Sequence, residues 1–131
     1  MSQENVEIVR AAIDAYNRGD LDAAFKDAAP GYEIDMSRAV GVIRGVYGLP
    51  QLRRILEEFR SAWESDQFGA DEFIDAGEHV VTPFTNRLRG RDGIEVEARG
   101  IWVWTIRDGA MERLTLYQDR QEALEAAGLS E

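Results

Sequence analysis

The chain has 131 residues, 25 acidic side chains against 15 basic ones, a formal charge of −10 and no cysteine. That length suits one domain built on one sizeable core, so residues 1–131 are read as a single domain. The negative field argues against nucleic-acid and anionic-membrane partners, and the missing thiols exclude disulfides, a cysteine nucleophile and thiolate metal sites.

The first segment sets Val6, Val9, Ala12, Ile13 and Tyr16 at helical spacing, with Ser2 placed to cap its start and Gly19 to end it. A short second helix follows Asp20 and buries Leu21, Ala24 and Phe25. "APGY" breaks it, "YEIDMS" reads as a short strand, and the glycine-rich "VGVIRGVYG" as a short edge strand. Pro50 suits the first turn of a third helix running to about Glu64, with a stripe of Leu52, Ile55, Leu56, Phe59 and Trp63.

From Gly69 onward the period is two. Turn signals at 76–78, 91–93 and 107–109 divide strands at 71–75, 79–89, 95–106 and 110–118, and "DRQEALEAAGL" closes the chain as a helical tail. The class is α+β, with helices packed on a face of an antiparallel sheet. In strand 95–106, Val96, Ala98, Gly100, Trp102, Trp104 and Ile106 form an apolar face that must meet the helices. The opposite face is polar at one end only and offers a dimer contact around Ile101 and Val103. No leader pattern and no membrane-length apolar run occurs, so the expected location is the cytoplasm.

Taken in order, "AYNRGDLDAAF", "YEIDM", "VIRGVYGLPQLRRIL", "EFIDAGEHVV" and "WTIRDGAMERLTLYQDRQEALEAAGL" resemble the SnoaL-like group of the nuclear-transport-factor-2-like superfamily over nearly the whole chain. The resemblance implies a cone: a curved antiparallel sheet wrapped around a long helix, with three N-terminal helices and a short C-terminal helical tail. It also implies an apolar cavity open at one end and a homodimer formed through the sheet. It does not imply one activity, because the superfamily holds ketosteroid isomerases, polyketide cyclases, epoxide hydrolases, dehydratases and non-catalytic binding modules.

Matching those chemistries residue by residue narrows them. In the isomerase register the base falls at or beside Asp35, but the oxyanion tyrosine falls at Ala12 and the protonated aspartate at Trp102. Both donors are lost, and with them the term that usually lowers the barrier most. In the limonene-type epoxide-hydrolase register, Phe84, Asn86 and Leu116 stand where an arginine and two aspartates are needed. Cyclase chemistry asks only for a shaped apolar cavity and one carboxyl group, which Asp35 could supply. Strand parity opposes this, since Tyr32 and Ile34 share the buried face and leave Asp35 outside unless the strand ends or twists there.

Other polar residues have plain roles. Asp119 and Glu122 form a capping box for the tail helix, His79 sits at a turn, and the Arg87–Arg91 run is a solvated strand end. Tyr117 has the outward parity. The inward set is Tyr16, Phe59, Trp63, Thr82, Phe84, Asn86, Trp102, Trp104, Leu114, Leu116 and Gln118, an aromatic wall with few polar groups. The expected function is to bind an apolar organic molecule, polyketide-, lactone- or steroid-like, with no metal or cofactor. Carboxylate-assisted cyclisation, isomerisation or hydration at Asp35 would be the chemistry, oriented by Asn86 or Gln118. The alternative is a non-catalytic dimeric binding or interaction module.

Overall fold

The computed structural model describes residues 2–39 and 43–129; the Ser2 side chain and residues 40–42 of the glycine-rich stretch lie outside the described residues. Helix α1 (Ser2–Asn17) buries Val6, Val9, Ala12 and Ile13 along one stripe. It gives way at Gly19, whose φ of +81° is the left-handed conformation that ends a helix at least cost. The Asp20 carboxylate caps α2 (Leu21–Ala24), accepting from the Ala23 N–H at 3.1 Å. Strands β1 (Ala28–Asp35) and β2 (Val46–Gly48) lead into α3 (Leu49–Ala62), with Pro50 in its first turn. Then come β3 (Ser65–Ala70), β4 (Ile74–Ala76), β5 (His79–Arg89), β6 (Glu95–Arg107), β7 (Ala110–Tyr117) and α4 (Arg120–Ala126).

The strands form one sheet in the order β2-β1-β7-β6-β5-β3, with β4 also paired to β5. Strands β5, β6 and β7 make the expected antiparallel meander, and Asp108 and Gly109, both at positive φ, form the tight turn between the last two. Two strand readings need correction. In place of one strand at 71–75 there are β3, ending at Ala70, and the short β4, beginning at Ile74, both antiparallel to β5. The inward face of β3 begins with Asp66, so the apolar alternation that marks a half-buried strand is broken at its first position. Strand β1 also starts earlier than expected, at Ala28, passes through Pro30 and Gly31 with a shifted register, and runs parallel to β7. Proline is tolerated there because β2 pairs only with Glu33–Asp35, leaving Pro30 on an open edge.

Both faces of the sheet carry helices. Helix α1 lies against β3, β4 and β5, and α3 against β1 and β2, closing the main core around Val9, Leu52, Val80, Ile106 and Met111. Helix α4 lies on the opposite face, where Ala123, Leu124 and Ala127 pack on Val81, Ile101 and Val103. The apolar patch assigned above to a dimer contact is therefore filled by the chain's own tail. Among the described residues no helix is long and apolar enough to cross a membrane.

The parallel β1–β7 pair is clamped by Arg113, which donates to Glu33 Oε1 at 2.6 Å and Asp35 Oδ2 at 3.0 Å. Asp35 also accepts the Ser37 N–H at 2.9 Å. Burial pushes the Asp35 carboxyl up, but the Ser37 hydrogen bonds and the Arg113 charge outweigh it and hold it below its ordinary value.

Leu124→Ala, opening the α4 contact, should cost roughly 2–5 kcal/mol in urea unfolding; a change within error would mean that α4 does not anchor the sheet. Because the Asp35 carboxyl is depressed in the folded state, its contribution is present above its unfolded value and lost as pH falls through the folded one. Asp35→Asn should thus be less stable than the parent at neutral pH, with the gap closing as pH falls below about 4. A gap that stays constant down to strongly acidic pH would contradict the clamp.

Candidate functional site

Helices α1 and α3 and the inward faces of β1, β3, β5, β6 and β7 enclose a cavity of about 490 Å³. Tyr16 comes from α1, Leu52, Ile55, Leu56 and Phe59 from α3, and Tyr32 and Ile34 from β1. Phe68 comes from β3, Phe84, Asn86 and Leu88 from β5, Ala98, Trp102 and Trp104 from β6, and Leu114 and Leu116 from β7, with Gln118 just beyond. These positions share a face because alternate residues of each strand point the same way.

One wall is a ladder of rings. Phe68 and Phe84 stack at 4.9 Å and 26°, and Phe84 and Trp102 at 5.7 Å and 18°. Gly100 makes this possible: it pairs with Phe84, and a Cβ there would lie 2.9 Å from Phe84 Cζ and 3.2 Å from Leu116 Cδ1. Trp104 is fixed by its indole N–H, which donates to Thr82 Oγ1 at 3.0 Å.

Three residues expected to face the cavity do not line it. Thr82 is fully buried, but in the packed end of the core behind Trp104. Trp63 follows the end of α3 with extended backbone, φ −113° and ψ 144°, so its helical spacing from Phe59 no longer carries it inward. Its ring instead packs beside Phe59 at 6.2 Å. Asp35 keeps the outward parity of β1, engaged by Arg113, while Tyr32 and Ile34 line the cavity.

The carboxylate that does enter the interior is Asp66, on the inward face of β3 and 6% exposed, the one buried charged residue among the described residues. Its Oδ2 accepts the Tyr16 hydroxyl at 2.6 Å and lies 3.7 Å from Arg60 Nη1, and the Arg60 guanidinium sits 4.7 Å over the Tyr16 ring. Asp66 Oδ1 and Arg60 Nη1 are buried without a hydrogen-bond partner among the described residues, as is Asn86 Oδ1. Burial, then the Asp66 hydrogen bond and charge, push the Tyr16 phenol well above its ordinary value, with Arg60 opposing. Burial alone pushes the Tyr32 phenol up. Both phenols are neutral through the physiological range. Sequence reasoning missed Asp66 and Arg60; the available signal was the alternation of Asp66, Phe68 and Ala70 immediately after α3.

The remaining polar positions are structural in geometry. Asp119 accepts the Glu122 N–H at 3.3 Å at the start of α4. His79 Nδ1 lies 3.2 Å from Thr105 Oγ1, and Arg87 and Arg89 face Glu97 and Glu95 across the exposed β5–β6 hairpin. Tyr117 packs against the α4 core beneath Arg38.

No curated protein matches the sequence significantly. Solved structures do match in fold. TerC, co-crystallised with polyporic acid, is 20% identical with a TM-score of 0.76, covering 95% of this chain and 98% of its own. An NTF2-like protein from Burkholderia thailandensis E264 is 25% identical, with a TM-score of 0.75 and 94% of each chain covered. A candidate polyketide cyclase from Xanthomonas campestris pv. campestris is 21% identical, with a TM-score of 0.72, covering 95% of this chain and 97% of that one. Residues 9–114 match the SnoaL-like domain, and with this curved α+β sheet the chain belongs to the SnoaL-like family of NTF2-like proteins.

Proposed function

We propose that the chain binds a neutral, largely apolar organic molecule of polyketide, lactone or steroid type in the cone between α1, α3 and the sheet. The observation that carries this reading is the 490 Å³ cavity, whose walls are aromatic and aliphatic apart from a few polar groups. Small-molecule sites have this makeup: apolar area supplies affinity and a few directed hydrogen bonds supply orientation.

Chemistry assisted by Asp35 has no geometric support, because that carboxylate lies on the far side of β1 from the cavity. Proton chemistry in this cone would run through Tyr16 and Asp66 instead. A proton leaving the bound molecule would pass to Tyr16 Oη as the phenol's own proton moves onto Asp66. A purely dimeric interaction module has less to rest on, since α4 covers the apolar outer patch. A homodimer through the sheet would have to use the strip of outer face that α4 leaves free.

The test is a thermal-shift screen against apolar lactones, steroids and aromatic polyketides. A ligand at a hundred times its Kd should stabilise the fold by about 2.7 kcal/mol through mass action. The shift should vanish in Trp102→Ala, after circular dichroism shows that variant folded. A library without a single stabilising compound, or a shift that survives in Trp102→Ala, would sink the proposal.

A further inference from the structure

Most hydrogen-bonding groups around the cavity are already committed within the protein. Tyr16 donates to Asp66, the Trp104 indole to Thr82, and Gln118 Nε2 to the Arg38 carbonyl. Tyr32 differs. It lines the cavity from the inward face of β1, is 3% exposed, and its hydroxyl makes no hydrogen bond among the described residues. The ring is held in place: Phe25 packs against it at 6.1 Å, and β1 is paired to β7 from the next residue, Glu33, onward.

The Tyr32 hydroxyl is not among the fully buried unpartnered atoms, so it opens onto the cavity as a donor with no partner inside the protein. Unmade donors of this kind are where a ligand's acceptor belongs. The acceptor called for is neutral. Arg99, the one cationic residue on the lining, sits on the exposed rim with its guanidinium 3.2 Å from Glu97, and the net charge of −10 disfavours anions. A hydroxyl on the ligand is a poorer match, because a phenol oxygen, its lone pair shared with the ring, accepts more weakly than its O–H donates.

We propose that Tyr32 is a specificity-determining residue of this cavity, its hydroxyl donating to a carbonyl oxygen of the bound molecule. The site then selects ketone, quinone or lactone carbonyls over hydrocarbons of the same shape. This rests on the binding reading above and adds to it the identity of the polar contact. Discrimination arises because the analogue without oxygen leaves the donor unmade.

The probes are 9-fluorenone and fluorene, two flat tricyclic frames that differ by the carbonyl oxygen, measured by equilibrium dialysis. The parent should bind fluorenone about five- to tenfold more tightly than fluorene, the worth of one neutral hydrogen bond. In Tyr32→Phe that ratio should fall to about one with fluorene affinity unchanged. The variant should also be at least as stable as the parent without ligand, since no internal hydrogen bond is lost. Equal binding of both probes by the parent, or a ratio that persists in Tyr32→Phe, overturns the donor role. An equal loss of both affinities in the variant assigns Tyr32 to packing and overturns it too. If neither probe binds the parent, the cavity reading itself fails and takes this inference with it.

Discussion

The structure depends on one constraint, the alternation of β6 between two cores. From Ile101 to Ile106 the strand sends Trp102, Trp104 and Ile106 toward α1 and α3, and Ile101 and Val103 toward α4. A slip of one residue against β5 would exchange the two sets and bury two indoles under a seven-residue helix. Trp104 opposes that slip. Its N–H reaches diagonally to Thr82, which pairs with Trp102, so the hydrogen bond forms in one register only. A buried indole without that partner would be costly.

The cavity follows from the same strand. Along the inward face of β6 the side chains run Ile106, Trp104, Trp102, Gly100, Ala98, bulky as far as Trp102 and small at the next two positions. At the Ile106 end they meet Val80, and the interior is filled. At the Gly100 end the bulk disappears, and Phe84 settles flat over the glycine where a side chain would otherwise stand. The cone is thus filled at one end and open at the other because side-chain size drops between Trp102 and Gly100. The two tryptophans lie at the changeover: Trp104 is tied into the core, and Trp102 is half-buried on the wall.

Much of this was legible from residue periods. The stripes of α1 and α3, the three hairpin turns and the inward face of β6 follow from spacing alone, because each element has one clear apolar period. Asp35 was legible only in part: strand parity placed it outside while the cyclase reading needed it inside, and the structure keeps the outward parity. What escaped were places where a local rule is overridden. Trp63 lies one helical turn past Phe59, but the helix ends at Ala62 and the extended backbone turns the side chain away. Ile101 and Val103 looked free because nothing local says that a tail ten residues beyond the last turn folds back over the sheet. Strand β3 was hidden because its first inward residue is an aspartate, and a carboxylate reads as surface.

That aspartate also shows how an apolar cavity can stand beside a buried carboxylate. A carboxylate directly on the wall would need water or a cation beside it, and either would make the cavity polar. Here Asp66 stands one layer back, solvated by the Tyr16 hydroxyl at 2.6 Å and by Arg60 at 3.7 Å, a separation that supplies charge without a hydrogen bond. Arg60 stays partly exposed and lies over the Tyr16 ring, so its charge is shared with solvent on one side and the ring's π face on the other. The face presented to a ligand is then the phenol of Tyr16, neutral and mostly hydrocarbon, with its own proton already aimed at the carboxylate. The wall stays apolar because the charge lies behind it, and Tyr16 is the one group that joins the two.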